Sequence, residues 1–320
     1  MARRRPKLDA PKTEWVAADV QDADLKELFR GVDAVVHLAW LIQPARDQAL
    51  LWRVNVEGSS RVFAAAAAAE VSTLVYASSV GAYSFGPKDG RVPKTWPTQG
   101  VSSSFYAQQK AEVERRLNHF ERDYPRVRVV RLRPAFIFKR EAATGVRRLF
   151  AGPLLPSALV APSRIQFVPD VQRLSFQGVH AMDVADAYRR AILTEVRGAF
   201  NIAAEPVLDP VALSWILGAR RIRMSPRFAR AAIQLSYWLH LHPCEPGWLD
   251  LALGVPLMDT ARARSELGSE AKHEAGAALR ELFEGIADGA GAPTPPLHPA
   301  TSGPLRAREF LTGIGRKGGV

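Results

Sequence analysis

Short runs of β-branched residues alternate through the first half of the chain with longer segments of helical pattern. This alternation is typical of βαβ units, in which each helix crosses back over a parallel sheet. Aspartate or serine stands where several helices would begin, and glycine or proline where elements would end. We therefore expect an α/β fold. Strands are predicted at 14–20, 33–39, 72–79 and 126–134, and helices at 22–31, 55–70 and 102–122.

The composition, at 47% hydrophobic and 23% charged over 320 residues, is that of a globular protein with one large core and a smaller lobe. Lys and Arg outnumber Asp and Glu by 43 to 32, a formal net charge of +11 that would suit an anionic partner. The excess consists mainly of arginines scattered along the chain, so by itself it does not identify a partner. We expect no nucleic-acid partner; a protein bound to DNA through this charge would show a steep salt dependence.

Cysteine usage and hydropathy bear on location. Cys244 is the only cysteine, which excludes an internal disulfide and fits a reducing compartment. No apolar run reaches the roughly 18 residues of a membrane span. The basic start of the chain is not followed by the apolar stretch of a signal peptide. We expect a cytoplasmic protein with no membrane partner.

Tyr106 and Lys110 lie one turn apart in the predicted helix 102–122, and Ser79 ends the predicted strand 72–79. A phenol with a pKa of about 10 is a poor base at neutral pH, but a nearby ammonium lowers that pKa. Ser79 could donate a hydrogen bond to a carbonyl oxygen. Tyr106 would exchange a proton with a substrate hydroxyl while hydride passes to or from a nicotinamide. Taken alone, the pair also fits an amphipathic helix surface.

Several further motifs stand in order around this pair: "AADVQD" at 17–22, "VVHLAW" at 35–40, "NVEGS" at 55–59, "VYASSVGAY" at 75–83, "YAQQK" at 106–110, "RLRPAFIF" at 131–138 and "MDTARARSELG" at 258–268. In this order and spacing, the chain resembles the extended short-chain dehydrogenase/reductases of the NAD-dependent epimerase/dehydratase type. The resemblance covers roughly residues 3–285.

The resemblance implies a Rossmann-like doubly wound parallel sheet with a smaller, mostly helical substrate lobe. Residues 1–139 and 174–203 would form the dinucleotide-binding domain, and residues 140–173 and 204–288 the substrate lobe. The Pro- and Gly-rich segment 289–320 is expected to be a flexible tail. A small-molecule substrate and a possible homodimer follow from the same resemblance.

The resemblance also assigns roles to individual residues. Ser79, Tyr106 and Lys110 would be catalytic. Asp19 would lie by the adenine, and Arg3, Arg4 and Arg5 near the ribose. The implied cofactor contacts are Arg3, Arg4, Arg5, Asp19, Val20, His37, Leu38, Ala39, Asn55, Ala77, Ser78, Tyr106, Lys110, Pro134 and Ala135.

The family's glycine-rich phosphate loop is not found at the start of the chain. A literal G-x-G-x-x-G occurs at Gly313, Gly315 and Gly318, but no predicted strand precedes it and no helix follows. "ARRRPKLD" resembles the turn after the family's second strand, where a carboxylate would hold the ribose of NAD. Arg3, Arg4 and Arg5 in its place favour the 2′-phosphate of NADP, with NAD as the alternative.

Two explanations of the missing loop stay open. One is an incomplete chain that lacks about 30 residues of a βαβ unit, and the other is a natural non-catalytic relative. In either case we expect the chain as written to bind dinucleotide weakly, because backbone N–H groups of the loop normally hold the pyrophosphate.

The expected function is that of an NAD(P)-dependent oxidoreductase or epimerase acting on a hydroxyl or carbonyl of a nucleotide-sugar, a sterol or a similar small molecule. The alternative is a non-catalytic binding protein that kept the fold. Dehydratases of this family usually carry an Asp-Glu pair after the serine or threonine. Val80 and Gly81 stand there instead, which disfavours dehydration.

Three other clusters have plainer explanations. His240, His242 and Cys244 are too few for a structural zinc site and are expected to pack a helix end. Asp183 and Asp186 are expected to cap a helix start. Five arginines are expected to form a solvated helix face: Arg220, Arg221, Arg223, Arg227 and Arg230.

Overall fold

The computed structural model describes residues 1–6, 8, 10–42, 46–150, 160–294 and 297–299. The strands are β1 (Ala34–His37), β2 (Thr73–Ala77), β3 (Arg91–Val92), β4 (Arg128–Pro134), β5 (Phe136–Phe138), β6 (Phe167–Val171), β7 (Gly178–His180), β8 (Gly198–Ile202), β9 (Arg220–Met224) and β10 (Leu257–Met258). The helices are α1 (Leu25–Leu28), α2 (Gln48–Trp52), α3 (Gly58–Ala68), α4 (Phe105–Asp123), α5 (Ala143–Phe150), α6 (Ala181–Leu193), α7 (Pro210–Leu217), α8 (Pro226–Trp238), α9 (Gly247–Gly254), α10 (Ala261–Ser265) and α11 (Ala275–Asp288).

A four-stranded parallel sheet in the order β1-β2-β4-β8 forms the centre of the fold. Val36 is level with Val75, and Val75 with Val130, so the carboxyl ends of the strands meet at one edge. The strands predicted at 33–39, 72–79 and 126–134 are confirmed as β1, β2 and β4. β8 was missed because its sequence, GAFNI, holds only one β-branched residue.

The two faces of the sheet bury different side chains of the same strand. On β2, Leu74 and Tyr76 join the apolar cluster formed with α3 and the middle of α4, whereas Val75 joins the cluster formed with α6. This period of two is what a strand covered on both faces requires. Helices on both sides of a parallel sheet confirm the expected doubly wound α/β fold.

The predicted strand 14–20 is wrong. Only Ala17 forms a bridge there, with Ala2, in parallel orientation. The Ala2 N–H donates to the Val16 carbonyl at 2.9 Å, and the Ala18 N–H donates to the Ala2 carbonyl at 3.0 Å. A single bridge fixes one residue on each side and does not extend into a ladder. The helix predicted at 22–31 shortens to the one turn of α1, capped by Asp24 rather than Asp22.

Local signals for the central helices agree with the structure. Ser104 caps α4, its side chain accepting from the Ala107 N–H, as the serine run had predicted. The helix predicted at 55–70 begins with a π-helical turn, Arg53–Glu57, before α3 continues it. This turn contacts α4 and contains the buried Asn55. π-helical turns within helices are frequent at functional sites.

The segment predicted as a substrate lobe forms an apolar cluster in which Leu208, Leu279 and Leu282 are buried, and Phe138 of the predicted dinucleotide-binding domain joins this cluster. The predicted helical segment 206–287 is mostly helical, interrupted by β9 and β10. Met258 and Leu267 instead join the main core beside α6. The part of the lobe around α10 therefore packs on the sheet itself.

The first part of the predicted flexible tail is attached to the lobe. The Ala290 carbonyl accepts from the Thr144 N–H at 3.2 Å and from the Thr144 hydroxyl at 2.7 Å. Ala290 also packs against the lobe's apolar cluster. Residues 300–320, including Gly313, Gly315 and Gly318, lie outside the described residues. Within the described part of the chain, none of the helices has both the length and the apolar character that crossing a bilayer requires.

Candidate active site

Three polar side chains meet at the carboxyl edge of the sheet. Ser79 follows β2 after one residue, and Tyr106 and Lys110 lie on successive turns at the start of α4. The Lys110 ammonium donates to the Ala77 carbonyl oxygen at 2.7 Å, which ties α4 to the end of β2. The Tyr106 phenol interacts with the Ser79 hydroxyl. The structure thus brings together the three residues predicted to be catalytic.

Gly81 permits this close arrangement and was not among the predicted site residues. A Cβ atom at Gly81 would lie 2.8 Å from Cε1 of Tyr106 and 3.4 Å from Oγ of Ser79. Its backbone N–H also donates to the Ser79 hydroxyl at 3.0 Å. The sequence signal for this role is a glycine two residues after the candidate serine.

The pKa values of Tyr106 and Lys110 differ from the sequence-based expectation. Burial raises the pKa of Tyr106 above its ordinary value, and the Ser79 hydroxyl acts in the opposite direction. Burial also holds the pKa of Lys110 well below its ordinary value, although Glu114 counteracts this. The prediction that the Lys110 charge lowers the pKa of Tyr106 is therefore wrong for this structure, because desolvation of both groups dominates.

Aromatic rings surround the Tyr106 phenol. The Trp248 ring lies 4.9 Å from the Tyr106 ring between centroids, inclined by 31°, and Trp40 meets Tyr106 edge-on at 6.0 Å. Lys110 Nζ lies 3.4 Å from the centroid of Trp40, a cation–π contact. Phe150 packs edge-on against Trp248 at 5.5 Å. The site therefore has an apolar, aromatic wall, which the sequence did not reveal because these rings come from four separate segments.

A buried ion network lies directly beneath the site. Glu114, one turn after Lys110, accepts from Arg131 at 2.8 Å and from Arg133 at 2.8 and 3.0 Å. Its Oε1 also accepts from the Ser78 hydroxyl at 2.6 Å, next to Ser79. The two arginines lower the pKa of Glu114 to about 2 despite its burial. Sequence reasoning missed this network, because charged residues in a strand and a helix give no sign of facing each other.

Asn55 joins three segments beside the candidate catalytic residues. Its side chain accepts from the Leu41 N–H at 2.6 Å and donates to the Leu41 carbonyl at 2.7 Å and to the Gln109 side chain at 2.8 Å. Asn55 therefore holds the segment after β1 against α4. Asn55 lies near the residues predicted to contact the cofactor, but its own side chain is hydrogen-bonded to other residues of the protein.

Of the other residues predicted to contact the cofactor, some are buried in the core and some are exposed. The His37 ring is buried against Tyr76 and bonds to the Ser59 hydroxyl at 2.9 Å, and burial lowers its pKa to about 3. Val20 is also buried, close against Gly58. Leu38 and Ala39, by contrast, are exposed at the carboxyl end of β1, where a ligand of the sheet edge would lie.

The residues predicted to lie by the adenine and the ribose are found next to the Ala2–Ala17 bridge. Arg3, Arg4 and Arg5 follow Ala2 and are exposed, and Asp19 follows Ala17 on the adjacent parallel segment. The Asp19 carboxylate accepts from the Gln21 N–H at 3.0 Å. The structure thus places the arginines and the aspartate at the same end of two neighbouring segments.

Pro134 and Ala135 end β4 on the other side of the site. Both are buried, and the Ala135 N–H donates to the Ile202 carbonyl at 2.8 Å. Their place one strand beyond Ser79 is compatible with the predicted position beside a nicotinamide.

Two buried donors support the fit of a polar ligand near Lys110. The indole N–H of Trp40 and the side-chain NH2 group of Gln109 are buried and have no hydrogen-bond partner among the described residues. Buried donors normally find a partner, so a bound group with acceptor oxygens would satisfy them. The residues that would hold a dinucleotide run from Arg3 and Asp19, past Leu38, to Lys110. The one G-x-G-x-x-G of the sequence lies outside the described residues.

The predictions for the remaining polar residues are partly confirmed and partly wrong. Capping of α6 by Asp183 is wrong: His180 caps the helix, and the Asp183 carboxylate accepts from the His273 N–H at 3.1 Å. Asp186 pairs with Arg190 at 2.5 Å. His242 makes local bonds at the end of α8, to Ser236 and the Cys244 N–H, as expected for packing of a helix end.

A parallel sheet with serine, tyrosine and lysine gathered at its carboxyl edge defines the class of Rossmann-fold dinucleotide enzymes. The chain belongs to the NAD dependent epimerase/dehydratase family, whose sequence model matches residues 1–203. This confirms the resemblance found in the sequence.

Individual relatives vary in how much they share. An uncharacterised protein of Mycobacterium tuberculosis is 27% identical over 288 residues, covering 86% of this chain and 72% of the relative. The decarboxylating sterol-4-alpha-carboxylate 3-dehydrogenase of Candida albicans is 31% identical over 183 residues, covering 56% of this chain and 50% of that enzyme.

Solved structures share the fold at low identity. The dTDP-glucose 4,6-dehydratase of Streptomyces venezuelae, with NAD bound, superposes with a TM-score of 0.62 at 18% identity, covering 87% of this chain and 81% of that one. The UDP-glucose 4-epimerase of Thermus thermophilus, also with NAD, gives 0.59 at 20% identity, with coverages of 84% and 83%. These likenesses establish the Rossmann fold.

Proposed function

We propose that the protein is an NAD(P)-dependent oxidoreductase or epimerase that acts on a hydroxyl or carbonyl group, with Tyr106 as the acid/base. The observation that carries the proposal is the meeting of Tyr106, Ser79 and Lys110 at the carboxyl edge of the sheet. A nicotinamide cofactor would supply or accept the hydride. The family membership supports the same class of reaction.

The protein's own residues would manage the substrate oxygen and its proton. Ser79 would donate a hydrogen bond to that oxygen and stabilise the charge that develops on it. Because its pKa is raised, Tyr106 is protonated at neutral pH and is suited to deliver a proton when a carbonyl is reduced. In the oxidative direction, Tyr106 would take the proton from the alcohol.

For the substrate, we favour an apolar ring compound of the sterol kind over a nucleotide-sugar. Trp40 and Trp248 pack on the Tyr106 ring and Phe150 packs on Trp248, so aromatic surface surrounds the phenol and would suit an apolar ring. The Candida albicans relative is named as a sterol dehydrogenase, which supports this choice. NADP is the proposed cofactor, because Arg3, Arg4 and Arg5 suit a 2′-phosphate.

A Tyr106→Phe variant tests the acid/base role. In a form of the chain that binds the cofactor, assayed with NADP⁺ or NAD⁺ and a panel containing a 3-hydroxysterol and UDP-glucose, we expect turnover to fall about 100-fold or more while cofactor binding is retained. The readout is absorbance of the reduced nicotinamide, with binding followed by tryptophan fluorescence. A Phe variant that turns over at the parent rate would exclude Tyr106 as the acid/base.

A non-catalytic binding protein is the second candidate. The observation in its favour is that the Lys110 ammonium is already engaged by the Ala77 carbonyl and the Trp40 ring. Saturable dinucleotide binding without turnover on any member of the panel would support this candidate. Preference for NADPH over NADH in the same titration tests the arginine assignment.

A further inference from the structure

Helix α8 turns three of its large apolar side chains away from the protein. Phe228, Leu235 and Trp238 are 64%, 55% and 71% exposed, and their spacing places them on one face of the helix. The opposite face carries the buried Ala229 and the half-buried Tyr237. Ile233 on the same inner face is half-buried as well. A surface helix of a globular protein normally buries its apolar stripe, whereas α8 leaves a second apolar stripe exposed.

The apolar surface continues beyond the end of the helix. Leu239 and Leu241 follow Trp238 and are also exposed. We call Phe228, Leu235, Trp238, Leu239 and Leu241 the α8 outer face. A contiguous exposed apolar surface of this kind marks a site of interaction with a membrane or a protein.

Positive charge accompanies the α8 outer face. The segment 220–244 contains five arginines and no aspartate or glutamate. Arg221 and Arg230 face Asp170 and Asp250 at 3.5 and 3.1 Å. Within the described part of the chain, no carboxylate pairs with the exposed Arg220, Arg223 or Arg227. The sequence prediction of a solvated helix face was partly wrong, because Arg220, Arg221 and Arg223 belong to β9.

The charge distinguishes between possible partners. In a symmetric dimer formed through this face, the same patch would face itself, and the arginines of the two copies would oppose each other. An anionic lipid surface instead offers phosphate groups to the arginines and an apolar interior to the leucines. Tryptophan is also the residue that membrane interfaces favour.

We propose that the α8 outer face docks the protein on an anionic lipid bilayer. The helix would lie in the plane of the interface with Phe228, Leu235 and Trp238 inserted among the lipids. This departs from the expectation of no membrane partner, which was based on the lack of a spanning segment. A helix lying in the interface does not need to span.

The docked surface would adjoin the candidate active site. Arg46, shortly after β1, stacks on the Tyr237 ring on the inner side of α8, at 3.8 Å to its centroid. The next helix, α9, carries the Trp248 that packs on Tyr106. An apolar substrate could thus pass from the bilayer to the site. The docking proposal itself does not depend on the reaction.

Vesicle co-sedimentation tests the proposal. We expect the full chain to bind vesicles of phosphatidylcholine mixed with phosphatidylglycerol, to bind phosphatidylcholine alone weakly, and to be released by high salt. Leu235→Ser should weaken binding about tenfold, since one leucine no longer enters the apolar phase. Leu193→Ser is the matched control, because Leu193 is 68% exposed at the end of α6.

A second matched pair tests the charge. Arg227→Gln should weaken binding to the anionic vesicles, whereas Arg126→Gln, at an exposed position before β4, should not. Circular dichroism checks that every variant is folded. Equal binding by the Leu235 and Leu193 variants, or no binding of the parent to anionic vesicles, would overturn the proposal. So would a dimer that Leu235→Ser converts to monomer without any vesicle binding, because the face would then be a self-interface.

Discussion

Glu114 offers a direct test of the charge network beneath the site. Its carboxylate is fully buried and is held by Arg131, Arg133 and Ser78. The pKa falls from 4.5 to about 2 in the folded protein. At 1.36 kcal/mol for each pH unit, this difference corresponds to about 3 kcal/mol of stability. Because the folded pKa is the lower one, this stability is present above about pH 4.5 and is lost as the pH falls toward 2.

The Glu114→Gln substitution removes the negative charge at every pH. Arg133 then remains buried without a counter-charge, while Arg131 keeps only Glu121 as an ion-pair partner. Leaving a buried charge without its partner costs about 3–5 kcal/mol. We therefore expect the free energy of unfolding at pH 7 to fall by about that amount. The variant should also lose the part of the acid dependence that the parent shows between about pH 4.5 and pH 2.

Urea denaturation followed by tryptophan fluorescence, at several pH values from 7 down to 3, measures both effects. Glu112→Gln is the matched control: it lies on the same helix and also pairs with arginines, Arg115 and Arg116, which are more exposed. Its loss should be about 1 kcal/mol or less. A Glu114 variant as stable as the Glu112 variant, or with the acid dependence of the parent, would refute the assignment.

Three further results are expected. Gly81→Ala should reduce turnover more than stability, because its Cβ would lie 2.8 Å from the Tyr106 ring; kcat and melting temperature compared with the parent decide this. Lys88→Met should abolish a rise in stability between about pH 7 and pH 10.5. Burial lowers the Lys88 pKa from 10.5 to about 7 in the folded protein. Between these two pH values the unfolded chain binds a proton that the folded protein does not, so the free energy of unfolding rises with pH; melting temperatures across this range test it. A chain ending at residue 287 should melt at a lower temperature than one ending at residue 299, because it loses the two bonds between Thr144 and Ala290; equal melting temperatures would show that these bonds contribute nothing.

Features that depend on near neighbours in the chain were predictable from the sequence. β1, β2 and β4 are short runs rich in β-branched and other apolar residues, and Ser104 caps α4 where the serine run predicted a helix start. Tyr106 and Lys110 share a helical face because of their spacing. Ser79 follows a buried strand, and parallel strands end at the same edge of a sheet, so the three residues were expected to meet.

Features that depend on distant contacts could not be predicted in this way. The direction of the Tyr106 pKa was misjudged, because its desolvation comes from Trp40 and Trp248, which the sequence separates from it. The pairing of Asp183 with His273 joins residues 90 positions apart and overrode the expected helix cap.

The sequence by itself determined the family, the parallel sheet and which three residues are candidates for catalysis, since periodicity and motif order are properties of local sequence. Only the tertiary structure decided what surrounds the trio and which face of α8 is exposed. The apolar residues of α8 have the spacing of an ordinary buried stripe. Burial is set by the elements that pack on a helix, and here the fold covers the side of Ala229 and leaves the side of Trp238 open.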